Sequence, residues 1–215
     1  MSFKSLKKKS ILVYCGSRDS VDAVFYRGID KLVQNLADCE AKLIFGGSDV
    51  GLMHRLCDQA HQKGVPITGV IPQNLYKRGL AFKGCTELIV SESLHERKSK
   101  MEDLADGTIC FPGGVGSLDE FLSAFAKKQM GESDMPLVLL NLNGYYRDLL
   151  ALLENFVTAG FASNKIYEKF HIAQHVNEAF EILAQEIATK QSSQIQSKLN
   201  QRRKVPKPGC AGLSQ

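Results

Sequence analysis

A glycine-rich turn between an apolar run and a helical segment is the part of this sequence best suited to chemistry. The turn reads Pro-Gly-Gly-Val-Gly-Ser over residues 112–117. Glycine lets backbone N–H groups approach an anion closely, and the unpaired N–H groups and dipole of the following helix favour a phosphate. Ser117 adds a hydroxyl donor. We therefore predict a phosphate site formed by Gly113, Gly114, Val115, Gly116 and Ser117.

The same turn has a purely structural interpretation. Ser117 and Glu120 have the spacing of a capping box, in which Ser117 would be the N-cap of the helix. Capping does not account for three glycines, so the phosphate interpretation is favoured. Glu120 stays open between two roles: at about 100° per residue it points away from the apolar stripe, which predicts exposure, yet in the first turn its carboxylate could reach a ribose or a water. The inward stripe is predicted to be Leu118, Phe121, Leu122 and Phe125.

Two cations interrupt the apolar face of an earlier helical segment. Arg97 and Lys98 stand three and four residues after Leu94, where the inward stripe should continue. Buried and unpaired, these charges would cost several kcal/mol, so each needs water or an anionic partner. A phosphate and Glu120 are the natural partners, and the alternative is that both side chains extend to solvent. The predicted stripe consists of Leu94, Met101, Leu104 and Ala105.

The elements that position these residues indicate an α/β fold. Apolar, β-rich runs alternate with segments of helical period, which predicts a doubly wound, mostly parallel sheet with helices on both faces. The predicted strands are residues 10–15, 42–45, 66–71, 87–90, 107–111 and 136–140. The predicted helices are residues 21–36, 52–60, 93–106, 117–130, 146–159 and 176–189.

Three small-residue turns follow strands of this sheet. Gly16-Ser17 follows the first strand, residues 46–51 follow the second, and residues 112–117 follow the fifth. Ligands of open parallel sheets bind beyond the carboxyl ends of the strands. We therefore expect the three turns to meet around one site, with Gly46 and Gly47 in the second turn.

Composition limits the organisation and the partners of the chain. With 215 residues and 44% hydrophobic content, the chain can bury one sizeable core. We predict a basic N-terminal extension at 1–9, one domain at 10–189 and a flexible basic tail at 190–215. The net charge of +4 is concentrated in the terminal segments. Solvated terminal charge explains this better than nucleic-acid or membrane binding, so neither partner is expected.

Cysteine and histidine usage indicates no metal site. The six cysteines include no C-x-x-C pair, and because segment 169–173 is predicted to be extended, the spacing of His171 and His175 need not place them on one face as a ligand pair. The cysteines are typical of reduced, buried thiols. The sequence has no membrane-length apolar run and no secretory signal at its start, so a soluble, cytoplasmic protein is expected.

Two motifs resemble those of the LONELY GUY proteins, which are cytokinin riboside 5′-monophosphate phosphoribohydrolases labelled "lysine decarboxylase-like". Residues 112–120 are similar to the P-G-G-x-G-T-x-x-E signature, with serine in place of threonine, and residues 95–101 match H-E-R-K-x-x-M. The resemblance extends from about residue 11 to residue 183. Further matches are Cys15-Gly16-Ser17, Gly46-Gly47 and Val50-Gly51-Leu52-Met53.

The resemblance implies a Rossmann-like homodimer that cleaves the N-glycosidic bond of a purine nucleoside 5′-monophosphate. The products would be the free base and ribose 5-phosphate, without a metal or organic cofactor. The family's catalytic arginine and glutamate correspond to Arg97 and Glu120, and Lys98 would add positive charge. Nothing marks a lysine as a pyridoxal phosphate anchor. The implied substrate contacts are Gly16, Ser17, Gly46, Gly47, Met53 and the turn Gly113 to Ser117.

Four departures from the family pattern bear on the substrate. Arg18, Ser48, Asp49 and His54 stand where serine, glycine, serine and glycine are expected. The charges of Arg18 and Asp49 predict a different base preference or a partly closed pocket, so AMP is as suitable a substrate as a cytokinin nucleotide. Two alternatives stay open: a non-catalytic nucleotide-binding or regulatory protein, and a nucleotide-sugar or amino-acid enzyme on the same fold.

Overall fold

A computed structural model describes residues 3–203, except for the side chains of residues 194, 195 and 197–203. The strands in this range are β1 (Ser10–Tyr14), β2 (Lys42–Phe45), β3 (Ile67–Pro72), β4 (Glu87–Ser91), β5 (Gly107–Cys110), β6 (Leu137–Leu140) and β7 (His171–Ala173). The α-helices are α1 (Ala23–Asp38), α2 (Gly51–Gln62), α3 (Gln73–Lys77), α4 (Leu94–Asp103), α5 (Val115–Met130), α6 (Arg147–Thr158) and α7 (Val176–Arg203).

The strands form one parallel sheet in the order β4-β3-β2-β1-β5-β6-β7. Leu12 of β1 pairs with Ile44 of β2 on one side and with Thr108 of β5 on the other. The chain therefore winds outward from β1 in both directions, and a crevice opens at the switch point between β1 and β5. The predicted doubly wound α/β fold is confirmed.

Alternate side chains of the central strand enter two apolar layers. Ile11 and Val13 belong to the layer that contains buried residues of α1, α2 and α7. Leu12 and Tyr14 belong to the opposite layer, with buried residues of α4, α5 and α6. This alternation explains why β1 is a continuous apolar run, since parallel strands are buried on both faces. None of the described helices has the length and apolar character needed to cross a bilayer.

The structure differs from the predicted domain boundaries at both ends. Before β1, Leu6 is fully buried, and the Ser5 hydroxyl donates to the Ala184 carbonyl at 2.8 Å. Lys9 pairs with Asp106 at 2.8 Å, so residues 3–9 pack onto the domain. At the other end, α7 continues to Arg203, past the predicted boundary at residue 189. Residues 204–215 lie outside the described range, where a flexible tail stays a prediction.

Candidate active site

A cavity of about 590 Å³ lies beyond the carboxyl ends of the strands. The three predicted turns contribute to it together with α3, the first turn of α4 and the loop after β6. Its lining combines polar side chains, among them Ser17, Ser117 and Glu120, with apolar ones such as Leu75 and Leu94. The predicted site residues that line it are Gly16, Ser17, Met53, Arg97, Gly113, Gly114, Val115, Gly116, Ser117 and Glu120.

The glycine turn leads directly into α5. The helix begins at Val115 with Gly114 as its N-cap, so Ser117 lies within the first turn and the capping-box interpretation is wrong. The first-turn N–H groups have no partner within the helix, and the residues that carry them line the cavity. Ser117 is buried, and a methyl group on Gly113 would overlap its hydroxyl. Glycine is therefore required for this close approach.

Three contacts fix the guanidinium of Arg97. Its Nε donates to the Val70 carbonyl at 2.9 Å, and its Nη1 donates to Glu120 Oε1 at 2.8 Å. Its Nη2 donates to the Gly46 carbonyl at 3.3 Å. The Arg97 side chain is 13% exposed, which confirms the inward cation and rules out extension to solvent. Each nitrogen of the guanidinium thus donates one hydrogen bond to the protein, and the Nη1 bond links Arg97 to Glu120.

Glu120 is buried, contrary to the exposure predicted from helical periodicity. The periodicity of α5 identifies only the face toward the sheet, whereas α4 covers a second face and brings Arg97 against Glu120. Burial raises the pKa of the Glu120 carboxyl, and the nearby Arg97 charge partly opposes that rise. Within residues 3–203, hydrogen bonding involves Oε1 and leaves Oε2 without a partner.

Lys98 does not line the cavity, so its predicted role in phosphate binding is not supported. Its Nζ lies 2.9 Å from Asp119 Oδ2 and 2.8 Å from the Ser123 hydroxyl, both on α5. Farther along the same pair of helices, Lys127 pairs with Glu102 at 2.6 Å. These contacts join α4 to α5 outside the cavity.

Gly46 and Gly47 also lie outside the cavity lining. The Gly46 carbonyl accepts from Arg97, and a methyl group on Gly46 would overlap the Arg97 guanidinium. Gly47 has φ +74° and packs against Val70 and Ile71. The two glycines serve the site indirectly, because they leave room for Arg97 and for the turn after β2.

The four departures from the family pattern fall into two pairs. Asp49 Oδ1 lies 2.6 Å from His54 Nδ1, and neither residue lines the cavity. The Asp49 carboxylate therefore does not contribute to the pocket lining, and of the two predicted charges only Arg18 does so. Arg18 and Ser48 do line the cavity.

Several lining residues were not predicted. Leu94 was expected to face the core, yet it is 63% exposed and lies at the cavity. The Tyr145 hydroxyl donates to the Gly113 carbonyl at 2.7 Å, and its ring meets Phe25 edge-on. Tyr145 follows β6, so the rule for the carboxyl ends of strands would have located it. The other apolar additions are Val21, Val50, Leu52, Pro72, Leu75 and Leu80.

The histidines of the last strand region make separate contacts. His171 Nε2 lies 3.5 Å from Glu186, and His175 Nδ1 accepts from the backbone N–H of Glu178. Within the described residues, no group of three or more histidine, cysteine, aspartate or glutamate side chains is arranged to hold a metal ion.

A family model described as "Possible lysine decarboxylase" matches residues 53–183. The chain belongs to this family. The family resemblance predicted from the two motifs is thereby confirmed. A relative named cytokinin riboside 5′-monophosphate phosphoribohydrolase from Rhodococcoides fascians is 36% identical over 154 residues, which cover 71% of this chain and 78% of that protein. The Arabidopsis thaliana protein of the same name, LOG5, is 34% identical over 153 residues, covering 71% and 67%.

Solved structures show the same architecture at lower identity. The molybdenum cofactor binding protein from Rippkaea orientalis has a TM-score of 0.64 and 21% identity, covering 85% of this chain and 99% of that one. The molybdenum cofactor carrier protein of Chlamydomonas reinhardtii has a TM-score of 0.64 and 20% identity, with the same coverage. At this identity, the likeness concerns the fold alone.

Proposed function

We propose that this protein is an enzyme that hydrolyses the N-glycosidic bond of a purine nucleoside 5′-monophosphate. The observation that carries the proposal is the buried Arg97–Glu120 pair, 2.8 Å apart, in one cavity with a glycine turn that opens a helix. Two members of its family that are 34% and 36% identical to it are named phosphoribohydrolases. The products are the free base and ribose 5-phosphate.

The chemistry requires stabilisation of a cation-like ribose. As the bond from C1′ to the base nitrogen breaks, positive charge develops on the sugar, and a water oxygen bonds to C1′ while its proton goes to the departing base. The Glu120 carboxylate stabilises that charge or activates the water. Arg97 positions the carboxylate by binding Oε1, which leaves Oε2 for the ribose or the water. None of these steps requires a metal or an organic cofactor.

The apolar residues of the cavity lining support a purine with an apolar substituent. Leu75, Leu80 and Leu94 line the cavity together with Val50 and Phe25. Such a wall favours an N6-alkyl group through the hydrophobic effect, so a cytokinin nucleotide gains more from it than AMP. Among the described residues that line the cavity there is no lysine, which gives the decarboxylase description no anchor for pyridoxal phosphate.

A panel of nucleoside 5′-monophosphates tests the proposed activity. Purified protein is incubated with isopentenyladenosine monophosphate, AMP and other purine monophosphates, and free base is followed by chromatography. We expect base release, with a higher kcat/KM for the isopentenyl nucleotide than for AMP. Measurable binding without release from any member of the panel would instead favour the regulatory alternative.

Gly116 provides a test of the phosphate position. A methyl group on Gly116 meets no protein atom within 4 Å, so Gly116→Ala keeps the fold and adds up to about 1 kcal/mol of helix propensity. The methyl would lie in the cavity beside the bound phosphate. We expect an unchanged or higher Tm with a KM for the monophosphate raised roughly tenfold, a loss of about 1.4 kcal/mol in binding. An unchanged KM would place the phosphate elsewhere.

The burial of Glu120 predicts the pH at which activity falls on the acidic side of the pH–rate profile. Burial favours the neutral acid and raises the pKa of Glu120, whereas the reaction needs the carboxylate. Activity should therefore fall as the pH decreases, with the inflection above the usual pKa of a glutamate. Initial rates of base release between neutral and acidic pH measure this. An inflection at or below the ordinary glutamate value would contradict the assigned role.

The apolar surface of α6 supports a homodimer. Leu152 and Phe156 lie four residues apart on the helix and are exposed, and Phe161 just after it is 87% exposed. Exposed apolar patches mark interaction sites. We expect a dimer by light scattering and a monomer for Phe156→Glu. Glu154→Lys, a charge substitution at an exposed, polar position of the same helix, should leave the dimer intact. A monomeric wild-type protein would refute the proposed assembly.

A cytoplasmic location is also part of the proposal. The described cysteines are free thiols, and all but Cys85 are buried. Burial raises the pKa of Cys39 to about 11 and that of Cys110 to about 12, which keeps these thiols protonated and unreactive. This usage is typical of proteins in a reducing compartment.

A further inference from the structure

One cationic side chain of the cavity lining has no partner among the residues that the structure describes. Among the described residues, Arg18 and Arg97 are the cationic side chains that line it. Arg97 is committed to Glu120 and to two backbone carbonyls. Lys98 is bound to α5 outside the cavity. Among the described lining residues, Arg18 therefore carries the cationic charge that is left for a phosphate in this cavity.

Of the three acidic residues nearest the Arg18 loop, Asp22 and Asp49 have partners elsewhere, and the exposed Asp19 forms no ion pair with Arg18 among the described residues. Asp22 accepts the backbone N–H of Val24 at 2.8 Å and caps α1. Asp49, in the neighbouring turn after β2, pairs with His54 at 2.6 Å. Of the ion pairs that residues 3–203 form, none includes Arg18. The Arg18 guanidinium is thus available to an anionic ligand.

The backbone holds Arg18 beside the phosphate turn. A methyl group on Gly16 would lie 3.4 Å from the Gly113 Cα, so the loop after β1 touches the turn after β5. On the other side, Gly51 at the start of α2 has φ +55° and packs against the backbone of Ser17 and Arg18. The loop is therefore confined between two helix N-termini, and the Arg18 side chain lines the cavity two residues from the contact with Gly113.

We propose that Arg18 is a specificity-determining residue that binds the phosphate of the nucleotide. This inference rests on the proposed function and names a determinant of its substrate class. The family motif has serine at this position, which supplies a hydrogen bond but no charge. A guanidinium adds a charge-assisted, bidentate contact to a phosphate. The protein therefore selects 5′-phosphorylated nucleosides over the nucleosides themselves more strongly than a serine at position 18 allows.

Calorimetric titration separates binding from turnover. Adenosine, AMP and ADP are titrated into Glu120→Gln protein with Arg18 intact, with Arg18→Ser and with Arg18→Lys. We expect Arg18→Ser to weaken AMP and ADP binding roughly tenfold, as for the loss of a charged hydrogen bond, and to leave adenosine unchanged. Arg18→Lys should retain most of the affinity, and Arg18→Ser should reduce the salt dependence of AMP binding.

Two outcomes would overturn the role of Arg18. AMP binding that is unchanged in Arg18→Ser would show that the guanidinium does not contact phosphate. An equal loss for adenosine and AMP would show a structural or base-side role. The proposed function fails separately, when the wild-type protein binds AMP but releases no base from any monophosphate, and the titrations still report on Arg18 in that case.

Discussion

Glu120→Gln is expected to lower kcat for base release by roughly 10²–10⁴-fold and to change nucleotide affinity by less than about threefold. Glutamine has the same shape, and its amide oxygen can still accept from Arg97 Nη1, which lies 2.8 Å from Oε1 in the native protein. The substitution removes the negative charge of Glu120, which the proposed mechanism places beside the ribose. Single-turnover kinetics of base release, together with calorimetric binding of AMP, measure the two effects independently.

The neighbouring carboxylate provides the matched control. Asp119 precedes Glu120 on α5, but it is exposed and pairs with Lys98 outside the cavity. Asp119→Asn removes the same charge at almost the same place in the chain and should keep kcat within about threefold of the native value. If both variants lost activity equally, a general loss of negative charge near α5 would explain the result, and Glu120 would have no special role.

Arg97→Met is expected to destabilise the fold as well as abolish activity. It leaves the Glu120 carboxylate buried without its partner, which costs roughly 3–5 kcal/mol when the carboxylate stays charged. Without the Arg97 charge the pKa of Glu120 rises further, so the acid side of any residual activity profile should move to higher pH. Denaturant unfolding and the pH dependence of base release measure these effects.

The pH dependence of this destabilisation has a definite sign. A carboxyl whose pKa is raised by folding costs nothing while both folded and unfolded states are protonated, and the cost grows as the pH rises through the folded pKa. Arg97→Met should therefore be closest to the native stability in acid. Adding Glu120→Gln should recover stability at neutral pH but not activity. If Arg97→Met alone were as stable as the native protein at neutral pH, Arg97 and Glu120 would not form a buried, charged pair.

Local patterns predicted the parts of the site that depend on one element and its turn. The turn after β5, the inward direction of Arg97 and the meeting of three turns at one sheet edge all follow from strand ends and helical spacing. The parallel sheet with helices on both faces follows from the alternation of strands and helices. These features need no knowledge of which helices touch.

Contacts between helices could not be predicted in this way. Glu120 is buried and Lys98 is turned away from the cavity because α4 packs on α5. The apolar periodicity of one helix does not show which other helix packs against it. Leu94 is exposed because it begins α4, whose first turn borders the cavity and not the core. Asp49 and His54, two of the four departures from the family pattern, pair with each other, and the sequence alone did not predict this contact. The five-residue α3 is too short to show a period.

Product analysis of a single incubation tests the central claim most directly. The native protein is incubated with isopentenyladenosine monophosphate, and free base, ribose 5-phosphate, nucleoside and inorganic phosphate are all quantified over time. Hydrolysis at C1′ predicts free base and ribose 5-phosphate in equal amounts. Nucleoside with inorganic phosphate, or nucleotide recovered intact from a saturated protein, would contradict the assignment of Arg97 and Glu120 to cleavage of the glycosidic bond.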